Sequence, residues 1–353
     1  MQRRIITFAV ALGLALMLVS SAAMAQYQLS NLSSNQVKQA HHDDPLLVNA
    51  WGLVHAPGSP WWVSDENSGW STLYDASGNS QGLRVLIPTA GNGPSSPQGL
   101  NGPGSPTGIV YNGSQEFQVG GWASIFLFAT LDGTISGWAP QTNLNQAIVA
   151  PLQNQPAGAS YTGLAITSKP SGNFLFAADI ANGQVEIFDA NFNFVKAFTD
   201  STLPLGFAPF GVRDIGGIVY VTFASVSGGN GGFLEQFRED GTPVSPGKPL
   251  VQGPPLNQPW GIVGAPSNFG PLSNTLLISN NTNQGTINAF DLFTGKFVGT
   301  VKDQNGKSIV IDQLWGIDFG DGLGKNGAAN HLYFAAGPSK NLAGTFGQIV
   351  FKP

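Results

Sequence analysis

A six-bladed β-propeller is expected from this 353-residue chain on three grounds. A glycine that opens a short apolar strand recurs six times, at positions 52, 108, 163, 211, 261 and 316, roughly 50 residues apart. Each is followed by a second apolar run and then by an alternating segment ending on an aromatic residue, so every unit reads as a small antiparallel sheet. After the first residues, no window carries a clean helical period. One such sheet cannot bury both of its faces alone. Radial stacking buries them and leaves only short edges. The spacing is too long for a solenoid coil, and six equal units are too many for one sandwich.

Taken in order, the chain opens on an address. Arg3 and Arg4 precede an apolar run from Ile5 to Val19, and Ala23-Met24-Ala25 offers a small-x-small cleavage site. Residues 1–25 are therefore expected to be a secretory signal peptide cut after Ala25, placing the protein in the periplasm or outside the cell. The run is short for a membrane span, and no second one follows, so no span is expected after cleavage. Residues 26–353 are expected to form one propeller. The sixth unit stops after its third strand, and Tyr27 to Ser33 is expected to supply the missing outer strand and close the ring.

The units open on Trp51-Gly52-Leu53, Thr107-Gly108-Ile109, Thr162-Gly163-Leu164, Phe210-Gly211-Val212, Trp260-Gly261-Ile262 and Trp315-Gly316-Ile317. Near the axis the blades crowd, and a missing side chain lets backbones approach. The second runs include Trp61-Trp62-Val63-Ser64-Asp65 and Leu276-Leu277-Ile278-Ser279-Asn280. The third strands end on Tyr74, Trp138, Phe188, Phe237, Phe290 and Phe351, each expected to wedge between neighbouring blades. Trp61, Trp62, Trp70 and Trp122, near strand ends, are expected on a rim.

Composition excludes several activities. There is no Cys, which removes disulfides, thiolate metal sites and cysteine nucleophiles. Charged residues are 10% of the chain and the net charge is −5, so no basic nucleic-acid footprint exists. Hydrophobic residues at 42% supply a core and argue against disorder.

Chemistry is expected on the face shared by two sets of loops, those entering the inner strands and those joining second to third strands. His41, His42 and Asp44 form the densest cluster of ligand types, with Asn49 close behind. Imidazole and carboxylate suit a metal or a base with its orienting acid, although Asp before Pro45 also suits a turn. Asp65, Asn67, Asp179, Asn280 and Asp312 are expected to form an oxygen-rich cup of the kind Ca²⁺ takes, unless each closes its own turn. Trp51, Trp260 and Trp315 stand before the inner-strand glycines. They are expected to ring the axial mouth and stack on a ligand, or else to wedge between blades. A small molecule, a glycan or a protein is the expected partner. Gly78-Asn79-Ser80-Gln81-Gly82 matches the nucleophile-elbow string and Gly322-Leu323-Gly324-Lys325-Asn326-Gly327 the dinucleotide string. Both lack the helix that their chemistry needs.

The blade phrase, Trp-Gly-Ile, apolar run, Asn or Asp loop and Gly285-Thr286-Ile287-Asn288-Ala289-Phe290-Asp291, resembles NHL-type six-bladed propellers. Over roughly residues 30 to 350 the chain also resembles an uncharacterised family of bacterial exported propellers. The matching stretches are His41-His42-Asp43-Asp44-Pro45-Leu46-Leu47-Val48-Asn49-Ala50-Trp51-Gly52-Leu53, Phe207-Ala208-Pro209-Phe210, the same Gly285-to-Asp291 segment, and Leu314-Trp315-Gly316. Some members carry a PEP-CTERM sorting tail, which Phe351-Lys352-Pro353 does not match. This resemblance implies fold and compartment but no reaction. A resemblance to gluconolactonase-like propellers implies a metal-dependent hydrolase at the axial mouth, as the alternative to a recognition module. Glu is scarce, five in all, and only Glu66 stands in a suitable loop.

Overall fold

The computed structural model describes residues 26–89, 103–169 and 172–353. The expected leader, 1–25, lies outside the described residues. Two strands precede the first blade, β1 (Gln26–Ser34) and β2 (His42–Asp43). Blade one is β3 (Ala50–Val54), β4 (Trp61–Asp65), β5 (Trp70–Tyr74) and β6 (Ser80–Leu86). Blade two starts at β7 (Pro106–Tyr111). A small hairpin, β8 (Gln118–Val119) and β9 (Trp122–Ala123), interrupts it before β10 (Phe126–Thr130), β11 (Ile135–Trp138) and β12 (Ile148–Val149). Blade three is β13 (Tyr161–Ile166), β14 (Leu175–Asp179), β15 (Gln184–Phe188) and β16 (Phe194–Phe198). Blade four is β17 (Phe207–Ile215), β18 (Ile218–Ser225), β19 (Phe233–Arg238) and β20 (Val251–Gln252). Blade five is β21 (Pro259–Gly264), β22 (Leu276–Asn280), β23 (Ile287–Phe290) and β24 (Phe297–Thr300). Blade six is β25 (Leu314–Phe319), β26 (His331–Ala336) and β27 (Thr345–Lys352). The only helical structure among the described residues is the 3₁₀ turn Gly270–Leu272.

The ring closes as expected. β1 lies antiparallel on β27, from Tyr27 opposite Phe351 to Ser34 opposite Thr345, and becomes the outer strand of blade six. Tyr27 donates its hydroxyl hydrogen to the Phe269 carbonyl at 2.7 Å and packs on the Phe269 and Phe351 rings. Leu32 enters the core between blades six and one, where Trp61, Tyr74 and Phe346 meet.

The six cores sit between blades rather than within them. Each strand alternates its side chains between two neighbours, which is why a single blade has no core of its own. Tyr74, Trp138, Phe188, Phe237 and Phe290 are buried in these seams, as the wedge reading requires. Phe237, for example, lies 4.6 Å from the Phe198 ring of blade three. Trp61 and Trp62 correct the rim expectation: both are buried, one on each side of β4. The run Trp61–Asp65 is a central strand, so both of its faces meet apolar neighbours. Only Trp122 is largely exposed.

Three buried carboxyls make stability depend on pH. Burial pushes Asp65 well above the usual carboxylate range. Burial likewise holds Glu186 at about 7, against hydrogen bonds from Tyr161 and Gln184. Burial, with the Asp200 carboxylate beside it, raises Glu235 to about 8. Between the unfolded carboxylate range and these values the folded chain holds protons that the unfolded chain has released. Stability therefore falls as pH rises through that window. Urea midpoints are expected to be higher at about pH 5 than at about pH 8.5, and Glu235→Gln to reduce that difference. A variant with an unchanged difference would contradict the assignment.

Candidate axial site

The inner-strand glycines form a ring of close contacts. A Cβ on Gly52, Gly108, Gly163, Gly211, Gly261 or Gly316 would meet the inner-strand backbone of the next blade at 3.0 Å or closer, all the way round. The backbone thus walls a central space, as the crowding at the axis implies.

That space is closed at the end where the inner strands begin. Trp51, Phe210, Trp260 and Trp315 converge there from blades one, four, five and six. Trp51 stacks on Trp315 with ring centroids 3.5 Å apart, and Phe210 and Trp260 lie 5.6 and 6.1 Å from Trp315. In blades one, five and six the strand register slips across the Trp-Gly step, between Ala50 and Leu53, Pro259 and Ile262, and Leu314 and Ile317. A slip of this kind re-aims a side chain, and it recurs beside the inner glycine in blades two, three and four, where Thr107, Thr162 and Phe210 stand in place of Trp. Trp315 donates its indole N–H to Asn49 Oδ1 and Trp260 donates to the Thr162 carbonyl across the ring, each at 2.9 Å. Blades two and three carry Thr107 and Thr162 instead. These donate to the Tyr161 and Phe210 carbonyls of the following blade at 2.7 and 2.8 Å.

Beyond this aromatic floor lies a cavity of about 330 Å³. Its walls are aliphatic, with Leu53, Val110, Leu164, Val212, Ile262 and Ile317 each contributed by a different blade. Toward the far face it turns polar. Arg213 of β17 donates through Nη2 to Asp318 Oδ2 of β25 at 2.8 Å, spanning from blade four to blade six. Asp318 Oδ1 accepts the Phe319 N–H at 2.9 Å. Asp214 also lines the cavity. Its Oδ1 accepts a long contact from the Gly217 N–H at 3.4 Å, and its Oδ2 is buried with no partner. Burial raises its pKa against the opposing charges of Lys169 and Arg213. His55 borders the same end, with Nε2 3.0 Å from the Phe319 carbonyl.

Most of the expected site residues serve the opposite, entry face, and serve it structurally. His41 is exposed, and His42 with Asp43 forms β2 beside β1. Asp44 is buried, accepting the Leu46 N–H and the Tyr74 hydroxyl at 3.0 Å each. Asn49 is held between Glu66 and Trp315. Asp65 accepts from Thr72 at 2.8 Å inside the core. Asn67 donates to the Asn341 carbonyl. Asp179 accepts the backbone N–H groups of Ser160, Ala181 and Asn182 and the Asn182 amide. Asn280 accepts the Asn257 N–H and donates to the Pro255 carbonyl. Asp312 accepts the Ser339 N–H at 2.9 Å. Backbone N–H groups thus claim oxygens of Asp179, Asn280 and Asp312 locally, and Asp65 is spent on the Thr72 hydroxyl in the core. Among the described residues no group of three or more His, Asp or Glu is placed to share a metal ion. What does come together is Asn49, Trp51, Trp260 and Trp315, joined by Phe210.

The charged end of the cavity carries a signal in the sequence. Two positions after each inner glycine stand Val54, Val110, Ala165, Arg213, Val263 and Asp318. Two opposite charges at a register that is otherwise apolar mark a pair across the axis. Arg213 and Asp214 lie within β17, not after it as the unit boundaries suggest.

Fold and site together define a six-bladed propeller with an aromatic-floored axial cavity open toward a charged mouth. No family model matches the chain. The uncharacterized protein R648 of Acanthamoeba polyphaga mimivirus is 28% identical, covering 93% of this chain and 81% of that protein. A bacterial source, which the resemblance to exported propellers implies, gains no support from that viral relative. Among solved structures, an inactive virginiamycin B lyase from Staphylococcus aureus with quinupristin aligns with a TM-score of 0.53, 13% identity and coverage of 92% of this chain and 99% of that one. A Xanthomonas campestris gluconolactonase aligns with a TM-score of 0.53, 13% identity and coverage of 87% and 88%. These likenesses show the fold alone. No helix among the described residues is long and apolar enough to cross a membrane.

Proposed function

We propose that the protein is an exported recognition module, akin to the exported propellers its sequence resembles, that seats a small molecule in the axial cavity. The ligand places an apolar body against the aliphatic walls and a protonated amine on Asp214. The observation that carries this reading is Asp214 in the lining of the cavity's polar end, whose Oδ1 makes only a long contact and whose Oδ2 has no partner in the protein. Leaving such an acceptor unsatisfied costs about 1–3 kcal/mol, which a ligand N–H removes. The Arg213–Asp318 pair supports the reading by holding two far-face strands at a fixed separation. The hydrolase alternative, in which a bound metal ion activates water, finds less support, because among the described residues no group of three or more His, Asp or Glu is placed to hold that ion.

Protein recovered from the medium of an expressing host, its chain beginning at Gln26, is expected to bind hexylamine in a calorimetric titration. Asp214→Asn is expected to bind it about tenfold more weakly, or worse. Equal affinities would remove Asp214 from the site. Silence across butyl- to octylamine would remove the amine seat, and a chain retaining residues 1–25 would remove the export.

A further inference from the structure

We infer that the entry face carries a saccharide-binding groove across blades four, five and six, separate from the axial cavity. A recess of about 750 Å³ is walled there by Asn257, Gln258, Asn281, Gln284, Gln313 and Lys340, with no carboxylate and no aromatic ring in its lining.

Its chemistry narrows the ligand. A primary amide offers an acceptor oxygen and two N–H donors side by side, and a sugar hydroxyl both donates and accepts. A row of amides therefore suits a chain of hydroxyls. A bound peptide needs pockets for alternate side chains, and the lining is polar apart from Gly228 and Pro255. A nucleic acid needs several cations along its phosphates, and Lys340 is the only one here.

Two further observations separate this groove from an ordinary polar surface. First, part of its hydrogen-bonding capacity is unspent. Among the described residues, the Gln284 and Gln313 side chains make no hydrogen bond and Lys340 makes no ion pair. Asn281 uses only its Nδ2, in a long contact of 3.4 Å to the Leu314 carbonyl. Second, Gln258, Gln313 and Lys340 hold left-handed backbone angles, with φ of 50°, 49° and 59°. Glycine or asparagine fits that region more readily, yet long polar side chains occupy all three positions. The blade-four side of the wall is fixed in advance. Gln258 donates to the Gly229 and Ser225 carbonyls at 2.7 and 3.3 Å, and Asn280 ties down the Asn257 N–H and the Pro255 carbonyl. A side already fixed lowers the ordering cost of binding there.

Calorimetric titration of the intact protein with cellohexaose and with hexagalacturonate tests this. Binding of at least one is expected, and Gln284→Ala/Gln313→Ala is expected to weaken it about tenfold or more. Neither side chain bonds within the protein, so the double variant keeps the wild-type melting temperature. Lys340→Ala weakens the uronate alone if the charged sugar is the ligand, and leaves cellohexaose unaffected if the neutral one is. Silence with both sugars at millimolar concentration, or wild-type affinity in the double variant, would overturn the groove. Asp214→Asn, which shares no residue with it, is expected to bind the sugar as the wild type does. The axial proposal and this one therefore fail separately.

Discussion

A chain beginning at Asn35 is expected not to fold. Removing residues 26–34 strips the outer strand of blade six and exposes the edge of β27 along its length. It also deletes Tyr27 and Leu32 from two cores, together with the Ser33 and Ser34 hydroxyl bonds to the Gly78 and Gly344 carbonyls at 2.6 and 2.8 Å. Burying two large side chains contributes about 1.5–3 kcal/mol each, and the ladder and seam contacts add to that. The sum approaches the whole stability of a typical domain, about 5–15 kcal/mol. The expected result is loss of the cooperative thermal transition, with aggregation. A synthetic peptide of residues 26–34 added during refolding restores it in part. A truncated chain that stays monomeric and melts as the full one does would show that closure does not depend on β1.

The second large effect is expected at Gly211. An added Cβ there overlaps the Trp260 carbonyl oxygen and crowds the Thr222 hydroxyl. The carbonyl cannot move without shifting the neighbouring inner strand β21, and Trp260 is part of the aromatic floor. Overpacking of this kind costs about 1–3 kcal/mol. Contact with fixed backbone on the ring places Gly211→Ala at the upper end. Gly264→Ala is the matched control, since a Cβ there meets nothing within 4 Å. Its stability is expected to stay within about 0.5 kcal/mol of the wild type. Denaturant midpoints measure both. Equal midpoints for the two variants would mean that the ring of glycines is not under steric constraint.

The architecture was legible because the constraint that builds it repeats. Six glycines at one register, each against the next blade, cannot be hidden by local variation, and the unpaired third strand of blade six left one place for Tyr27 to Ser33. The site was less legible for a definite reason. Asp and Asn close turns with the same oxygens that bind ligands, and Asp179 spends its carboxylate on three backbone N–H groups and an amide. Residue type alone does not separate these uses. The position before the glycine allows Trp51, Trp260 and Trp315 either the axis or the seams between blades, and in the structure they meet at the axis. The inner-strand register slips at the recurring glycine in all six blades, so the slip alone does not say which side chain will reach the axis. Arg213 and Asp318 lie in sequence 105 residues apart. Their shared position two residues past a glycine identifies them only once the ring brings blades four and six face to face.

The proposed ligand sits on the axis, above the aromatic floor and against Asp214. A crystal structure of the protein soaked with hexylamine tests it most directly. The amine nitrogen is predicted within hydrogen-bond distance of Asp214 Oδ2, with the alkyl chain among Leu164, Ile262 and Ile317. An empty axis with the amine bound elsewhere on the molecule would contradict it.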